Sequence, residues 1–366
     1  MSREPGRGLI RTGVAPKSAK AERGSHTLDQ QIRGWGRIVP VLLVISFGLN
    51  VAALFVPFLV LDILLKPSSV LGLPGTVQML WEARLYIVAL LVAAFSLVFP
   101  FFKLLSMAWI WYGEKDPRRR SRTLNFVHAF GKWSMLDVFV VVLVLVLTDD
   151  QRFIHARIEY GLFLFILAIA LSMSAAMVLE SLLRQIQPAP PGPAPQDQGT
   201  VPALITKLRH PFLVVTFMLL GLFAFLAAIG LPFLQVDQVL LKDNAYSVLD
   251  TIQTLWMRGT PGLSIFMALT LVVLVLVGYL GRAGFLLLPM TTGRRRRWLH
   301  ILQEVEAWIM LDVFVLALVV FLIEGHRILA TKVQRGTFYL PTFLFLAYLL
   351  YGVARALDKQ SRKPSR

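Results

Sequence analysis

Eight apolar runs, each about as long as a bilayer is thick, constrain this 366-residue chain more than any other feature of its sequence. A helix needs roughly 20 apolar residues to cross the ~30 Å of hydrocarbon in a membrane. Hydrophobic residues make up 56% of the chain and charged residues only 16%, which excludes an ordinary soluble globular fold. We therefore predict an all-α polytopic membrane protein with eight transmembrane helices, at about residues 38–61, 85–112, 126–147, 160–179, 211–236, 262–290, 299–323 and 336–354.

The third and seventh runs are short. They must be extended toward the N-terminus through FVHAFGK and LHILQEVE if they are to cross a bilayer. This extension places Asp137 and Asp312 inside their helices instead of at the start. We expect the seventh helix to be continuous from about Leu299, which puts Asp312 roughly 20 Å along it at about 1.5 Å per residue.

Basic residues fall in alternate connections between the apolar runs. The net charge of +16 is concentrated in the first 37 residues, in 114–132, in the run 294–297 and from Arg355 onward. By the positive-inside rule, both termini are then cytoplasmic. This distribution favours a topological role for RRRR at 294–297 over a binding site, and we expect no nucleic acid as a partner.

A Pro-rich sequence, RQIQPAPPGPAPQDQGTVPA, divides the chain into two halves because it cannot continue a helix. We predict five regions along the chain. They are a disordered basic cytoplasmic tail at 1–37, a first four-helix membrane unit at 38–183, a cytoplasmic linker at 184–210, a second four-helix unit at 211–357 and a basic C-terminal tail at 358–366.

The two halves align without a gap at one constant offset, which pairs Trp133 with Trp308. WSMLDVFV at 133–140 matches WIMLDVFV at 308–315 in seven of eight positions, and Pro, Gln and Trp recur elsewhere at the same offset. Such matches indicate an internal duplication. Because each unit has four spans, the units are predicted to be parallel repeats in the membrane. The repeat signature consists of Trp133, Met135, Leu136 and Phe139 in the first unit and Trp308, Met310, Leu311 and Phe314 in the second.

The doubled LDVF block, together with FPFFKLL at 99–105, resembles the signature of the paraquat-inducible protein A family of bacterial inner-membrane proteins. The resemblance covers about residues 37–357. It implies a multi-pass protein of the bacterial inner (cytoplasmic) membrane with a periplasm-facing MCE-domain protein as its partner. It also implies that phospholipid is moved between the two membranes of the envelope.

One departure from that family concerns metal. Typical members have Cys-x-x-Cys pairs that look like zinc ribbons ahead of each four-helix unit, whereas this chain has no cysteine. We therefore expect no metal site of that kind.

The second unit also has Val275 where the first has Pro100, and Arg282 is displaced by four residues from the register of Lys103.

Four charged side chains are expected within the spans, namely Asp137, Asp312, Lys103 and Arg282. A carboxylate in the bilayer is costly, so each Asp should face the bundle interior and find a partner. Two interpretations stay open, structural pinning of the helices and a functional polar site. Lys103 and Arg282 lie on helices antiparallel to those of the Asp residues, so ion pairs such as Lys103 with Asp137 are conceivable. For Lys103 alone, the preferred expectation is that it snorkels to the headgroups.

Two matching segments, TVQMLW and TIQTLW, precede the second and sixth helices on the predicted outer side. Their apolar positions suit an interfacial amphipathic turn or a docking surface. We prefer docking because the expected periplasmic partner would approach from this side. The docking candidates are Gln78, Trp81, Gln253 and Trp256. Pro57 and Pro232, nearby in the chain, are expected to end or kink the first and fifth helices.

No sequence pattern supports an enzyme. The chain lacks cysteine, metal-spaced histidine pairs, nucleotide-binding loops and nucleophile motifs, so we expect no cofactor and no catalytic residue. Two function classes remain. The first is an inner-membrane component of an MCE-type lipid-trafficking system. The second is a stand-alone proton- or ion-coupled transporter that uses the intramembrane Asp residues with Lys and Arg.

Overall fold

A computed structural model describes residues 27–31, 37–63, 69–147, 154–186, 203–207, 210–236, 244–324 and 331–361. Within these residues, eight helices are long and apolar enough to cross a membrane, as the sequence predicts. They span Ile38–Phe55, Tyr86–Tyr112, Pro117–Leu143, Tyr160–Leu183, Pro211–Gly230, Pro261–Leu287, Gly293–Ile323 and Gly336–Leu357. The polytopic helical fold is therefore confirmed, whereas its orientation in the membrane stays a prediction.

The helices are labelled in chain order. In the first unit they are α1 (Ile38–Phe55), α2 (Leu73–Glu82), α3 (Tyr86–Tyr112), α4 (Pro117–Gly131), α5 (Leu136–Leu147) and α6 (Tyr160–Ile186). In the second they are α7 (Pro211–Gly230), α8 (Val248–Met257), α9 (Pro261–Leu287), α10 (Thr292–Trp308), α11 (Leu311–Glu324) and α12 (Gly336–Ser361). The two units thus share one order of helices.

Each unit also contains a small three-stranded antiparallel sheet that the all-α prediction lacks. The strands are β1 (Leu59–Ile63), β2 (Ser69–Leu71), β3 (Ile154–Ile158), β4 (Leu234–Val236), β5 (Asn244–Tyr246) and β6 (Thr331–Val333). The sheet orders are β2-β1-β3 and β5-β4-β6. We call the end of the bundle that carries these sheets the sheet end. The opposite end, where residues 118–122 and 294–297 lie, is the arginine-rich end.

The predicted ends of the first and fifth helices were wrong. α1 ends at Phe55 and α7 at Gly230, six residues short of the predicted bounds in each case, and the chain then enters β1 and β4. Pro57 and Pro232 explain the stops, because proline has no N–H for the helix and disfavours helical backbone in the residue before it. Short apolar runs such as LVLDI fit a strand as well as a helix, so apolar length alone overextends the helix.

Gly161 and Gly336 fasten the fourth helix of each unit to the end of the first. Their N–H groups donate to the carbonyl oxygens of Pro57 and Pro232 at 2.9 and 2.8 Å. A Cβ at either glycine would lie 2.4 Å from a backbone oxygen of the facing segment. No side chain fits at that distance, which explains why glycine occurs at both positions of the repeat.

The third span of each unit is broken at the signature block. In the first unit, α4 passes into a 3₁₀ turn at Lys132–Met135 before α5 begins. In the second, Ile309 is extended, so α10 ends at Trp308 and α11 begins at Leu311. The N-terminal extension of both spans is confirmed, but the prediction of a continuous seventh helix was wrong. The apolar residues keep helical spacing on both sides of this two-residue break, so the sequence pattern gives no sign of the break.

The second span of each unit contains a π turn in the same register. The turns cover Ala93–Val98 and Ala268–Val273, which are equivalent positions of the two repeats. Short π segments inside α-helices are rare. Their recurrence shows that the duplicated units share backbone irregularities as well as sequence.

One apolar core runs through both units, and the two signature helices meet within it. α5 packs against α11, and the rings of Phe139 and Phe314 make an edge-to-face contact at 5.7 Å between centroids. Both rings are fully buried. The LDVF blocks thus form the centre of the interface between the units.

Two segments outside the predicted units also contain structure. Leu28–Gln31 is a short helix whose Leu28 is buried, and Leu204–Lys207 is a 3₁₀ turn whose Leu204 is buried. Most of the predicted tail and linker lies outside the described residues. The domain boundaries stay predictions.

Candidate functional site

The breaks in the third spans place a carboxylate at the beginning of a half-helix. Asp312 is the second residue of α11, and its Oδ1 accepts a hydrogen bond from the backbone N–H of Val313 at 3.0 Å. The unpaired N–H groups of a first turn carry partial positive charge, which stabilises a carboxylate there. Discontinuous helices of this kind form ion and substrate sites in many transporters.

Asp312 also binds a lysine from the other unit. Lys132 Nζ, in the 3₁₀ turn of the first unit, forms an ion pair with Asp312 Oδ2, and the Tyr348 hydroxyl donates to the same oxygen at 3.2 Å. The Lys132 and Asp312 side chains are 19% and 12% exposed. The pair is therefore largely buried and joins the first unit to the second.

A second ion pair lies beside the first, within one helical hairpin. Arg282 Nη2 on α9 and Glu306 Oε2 on α10 are 3.0 Å apart, and the guanidinium carbon lies 5.3 Å from the centroid of the Tyr351 ring. Gly281 allows this approach, because a Cβ there would meet Leu302 of α10 at 2.5 Å. The intramembrane partner of Arg282 is thus Glu306, not an Asp, because the hairpin brings that carboxylate to it.

Lys103 does not snorkel, contrary to the sequence-based expectation. It is 1% exposed, and its Nζ donates to Ser172 Oγ on α6 at 2.9 Å. The serine hydroxyl in turn donates to the carbonyl of Ile169 at 2.8 Å. Gly131 leaves room for the ammonium group, since a Cβ there would be 3.4 Å from Nζ. The side chain of Asp137 lies outside the described residues, so its pairing with Lys103 stays a prediction.

A cavity of about 750 Å³ between the units contains the cross-unit ion pair, and we call it the vestibule. Its walls come from the third and fourth spans of both units. The charged residues that line it are Lys132, Glu180, Glu304, Glu306, Asp312 and Arg355. A smaller cavity of about 40 Å³ lies behind it, lined by Arg282, Tyr279 and the two ion-paired carboxylates. The vestibule therefore leaves charges near the middle of the third spans partly exposed, among them Lys132 and Asp312.

The repeat signature itself is mainly core. Trp133 and Trp308 are partly buried, and the Met, Leu and Phe members are fully buried in both units. These residues hold the half-helices together and place the Asp that follows each Leu. The signature thus positions the charged site without lining most of it.

The docking candidates lie away from this site, at the sheet end. Gln78 and Trp81 are exposed on α2, and Gln253 and Trp256 are exposed on α8, while Leu80 and Leu255 beside the tryptophans are buried. Trp81 and Trp256 are 56% and 58% exposed. Both helices are therefore amphipathic and present a tryptophan on the surface, which leaves the docking prediction open.

The sequence model for paraquat-inducible protein A matches residues 39–184 and again 213–361, which together are most of the chain. The chain belongs to the paraquat-inducible protein A family. The two matched ranges coincide with the two four-helix units, so each unit by itself matches the family model.

Curated relatives of this family are similar over part of the chain. Proteins named intermembrane transport protein PqiA from Escherichia coli (strain K12) and from Shigella flexneri are each 30% identical over 149 residues, which is 39% of this chain. The match spans 35%, about a third, of the length of those relatives. No solved structure matches the chain.

Several residues of this site were not predicted from the sequence. Lys132, Glu306, Tyr348 and Tyr351 were not singled out, although all four line the vestibule. Lys132 and Glu306 stand within the segments by which the third and seventh spans had to be extended, so their intramembrane position could have been inferred. The tyrosines are three residues apart on α12 and share a face, a weaker signal. Among the described residues, no group of three His, Asp or Glu side chains is arranged to hold a metal ion.

Proposed function

We propose that this protein is an inner-membrane component of an MCE-type lipid-trafficking system that passes phospholipid to a periplasmic MCE-domain partner. The match of the family model to both units carries the proposal. The relatives' name, intermembrane transport protein, supports transport as the class of activity. Transport requires no catalytic residue, in keeping with the absence of an enzyme motif from the sequence.

The geometry suits a carrier that works between two units. The vestibule is a polar space bounded by two structurally related bundles, and α5 and α11 close it toward the sheet end with buried aromatic rings. Rocking of one repeat against the other is the usual way in which repeated membrane units expose a central site alternately to two sides. In this proposal the sheet end faces the periplasm and meets the partner there.

Co-purification tests the proposed partner. The full chain is expressed with a candidate MCE-domain protein from the same genome and captured by its own tag, and the eluate is analysed for that protein and for phospholipid. Trp81→Ala combined with Trp256→Ala should reduce the recovered partner several-fold, because both tryptophans are exposed at the sheet end. Trp109→Ala is the matched control, since Trp109 is 63% exposed on α3 nearer the arginine-rich end. Capture of the chain with neither partner nor phospholipid contradicts the proposal.

A second candidate function is ion-coupled transport, which the vestibule favours. Two partly buried ion pairs beside a broken helix are a common arrangement in carriers driven by ion gradients. In liposomes, the double variant Asp137→Asn and Asp312→Asn should abolish a proton or sodium flux that the parent supports. A parent protein that conducts neither ion eliminates this candidate.

A further inference from the structure

The vestibule has opposite walls made of equivalent positions in the repeat. Asn125 and His300 are equivalent under the repeat alignment and both line it, as do the equivalent Glu180 and Arg355. The walls are thus related by the duplication, but the residues on them differ in charge. Such a space accepts an asymmetric ligand in one orientation, because its two sides are not chemically alike.

The vestibule is also layered along its depth. Tyr348, Tyr351 and Arg355 follow one another at helical spacing on a single face of α12, so Arg355 lies about 10 Å nearer the arginine-rich end than Tyr348. Glu306 and Asp312 belong to the deep layer with Tyr348. The deep layer is therefore acidic and aromatic, whereas the Arg355 guanidinium and the Glu304 carboxylate, eight residues before Asp312, lie nearer the arginine-rich end.

Negative charge exceeds positive charge on the walls. Glu180, Glu304, Glu306 and Asp312 line the vestibule, against Lys132 and Arg355. Arg282 is paired with Glu306 from the adjoining cavity, and His300 lies beside Glu304. Most of these charged side chains contact charged or polar neighbours. The excess of acidic residues on the walls nevertheless contrasts with the chain as a whole, which has a net charge of +16. The local field attracts a cationic group and disfavours a ligand that carries only negative charge.

The structure itself shows an ammonium group bound in the deep layer. Lys132 Nζ is a primary ammonium, and it is held by Asp312 Oδ2, which also accepts from the Tyr348 hydroxyl. Arg282 shows in addition that the Tyr351 ring takes a cation against its face. Carboxylates and tyrosine rings therefore bind cationic side chains in this cavity, and Glu304, half exposed on the wall beside His300, presents a further carboxylate to the N–H donors of a primary ammonium.

We propose that the vestibule binds the headgroup of a zwitterionic phospholipid with a primary ammonium, of the phosphatidylethanolamine class. The ammonium lies among Glu304, Glu306 and the tyrosine rings, and the phosphate lies toward Arg355. This inference rests on the proposed lipid transport and adds the class of lipid that this site prefers. The volume of about 750 Å³ leaves room for a headgroup and the water around it.

Lipid retention in nanodiscs tests the preference. The full chain is placed in phosphatidylcholine nanodiscs that contain equal small amounts of phosphatidylethanolamine and phosphatidylglycerol, and the lipids that remain bound are counted by native mass spectrometry. Phosphatidylethanolamine should be retained in several-fold excess over phosphatidylglycerol. Added glycerophosphoethanolamine should displace it, because the headgroup and not the acyl chains provides the recognition.

Variants separate this site from non-specific lipid binding. Glu304→Gln removes one wall carboxylate at a half-exposed position and should lower the retention ratio about three-fold, the effect of one partly exposed charge pair. Glu114→Gln, on the connection between α3 and α4, is the matched control and should leave the ratio unchanged. Equal retention of the two lipids in the parent overturns the inference but leaves lipid transport standing. A ratio that falls equally in both variants overturns it as well.

Discussion

The cross-unit ion pair offers the sharpest test of how the two units are held together. Replacing Lys132 with Ala leaves Asp312 with two remaining donors, the Val313 N–H and the Tyr348 hydroxyl. Replacing Asp312 with Ala strands the Lys132 ammonium and also removes a favourable charge from the start of α11. Asp312→Ala should therefore destabilise the protein more than Lys132→Ala.

The magnitude follows from burial. Breaking a fully buried ion pair costs about 3–5 kcal/mol. Both side chains reach the vestibule and are 19% and 12% exposed, so water solvates the stranded group in part. We expect a loss of about 3 kcal/mol for Asp312→Ala, about 2 kcal/mol for Lys132→Ala, and a coupling energy of about 1–2 kcal/mol in the double-mutant cycle.

The assay is the free energy of unfolding in mixed micelles, measured by titration with a denaturing detergent for the parent, both single variants and the double variant. His300 and Glu304 provide the matched cycle, because their side chains are about half exposed on one helix and should couple by less than about 0.5 kcal/mol. If the losses from Lys132→Ala and Asp312→Ala add to within about 0.5 kcal/mol, the ion pair does not join the units as described.

An apolar replacement of the same pair distinguishes structure from function. Lys132→Met with Asp312→Leu removes both charges at similar volume, and such exchanges are often neutral or stabilising. If the double variant is stable and still moves lipid, the ion pair has only a structural role. A stable variant that has lost lipid transfer assigns it a functional role, which is the outcome we expect.

Three further changes test other parts of the fold by thermal unfolding in detergent and by yield. Gly161→Ala should lower the free energy of unfolding by more than about 3 kcal/mol, because the new Cβ would lie 2.4 Å from the carbonyl oxygen of Pro57. Gly352→Ala is the control: the space around Gly352 is open, so this change should be neutral or slightly stabilising. Phe139→Ala, at the centre of the interface between the units, should lower the free energy of unfolding by about 3–5 kcal/mol. The control Phe345→Ala should lower it by less than about 1 kcal/mol, because the Phe345 side chain is 66% exposed. Arg282→Lys should lose part of the stability that the guanidinium gains by pairing and stacking, and an unchanged melting temperature would contradict that packing.

Sequence patterns predicted the spans well because the length of an apolar run is a local property. They failed at the ends of α1 and α7, where the run continues into a strand. They also failed at Ile309, where two helical segments meet in register and the break leaves no mark in the apolar pattern. In both situations the backbone changes state while the hydrophobicity of the chain does not.

The candidate site was predictable in part. Asp312 and Arg282 were chosen because charge inside a span is costly, and both prove to line internal cavities and to form ion pairs there. Their partners were not identified. Lys132 and Glu306 had been assigned to the extended ends of spans, where basic and acidic side chains are ordinarily solvated.

The sequence by itself determined the eight spans, the duplication and the family, since each rests on residue types and their spacing along the chain. Only the tertiary structure decided which charges meet. Lys132 of the first unit reaches Asp312 of the second, and Glu306 reaches Arg282 through a hairpin that Gly281 allows to close. Pairing of this kind depends on how helices pack side by side and on where they break, and neither is encoded in the periodicity of any single helix.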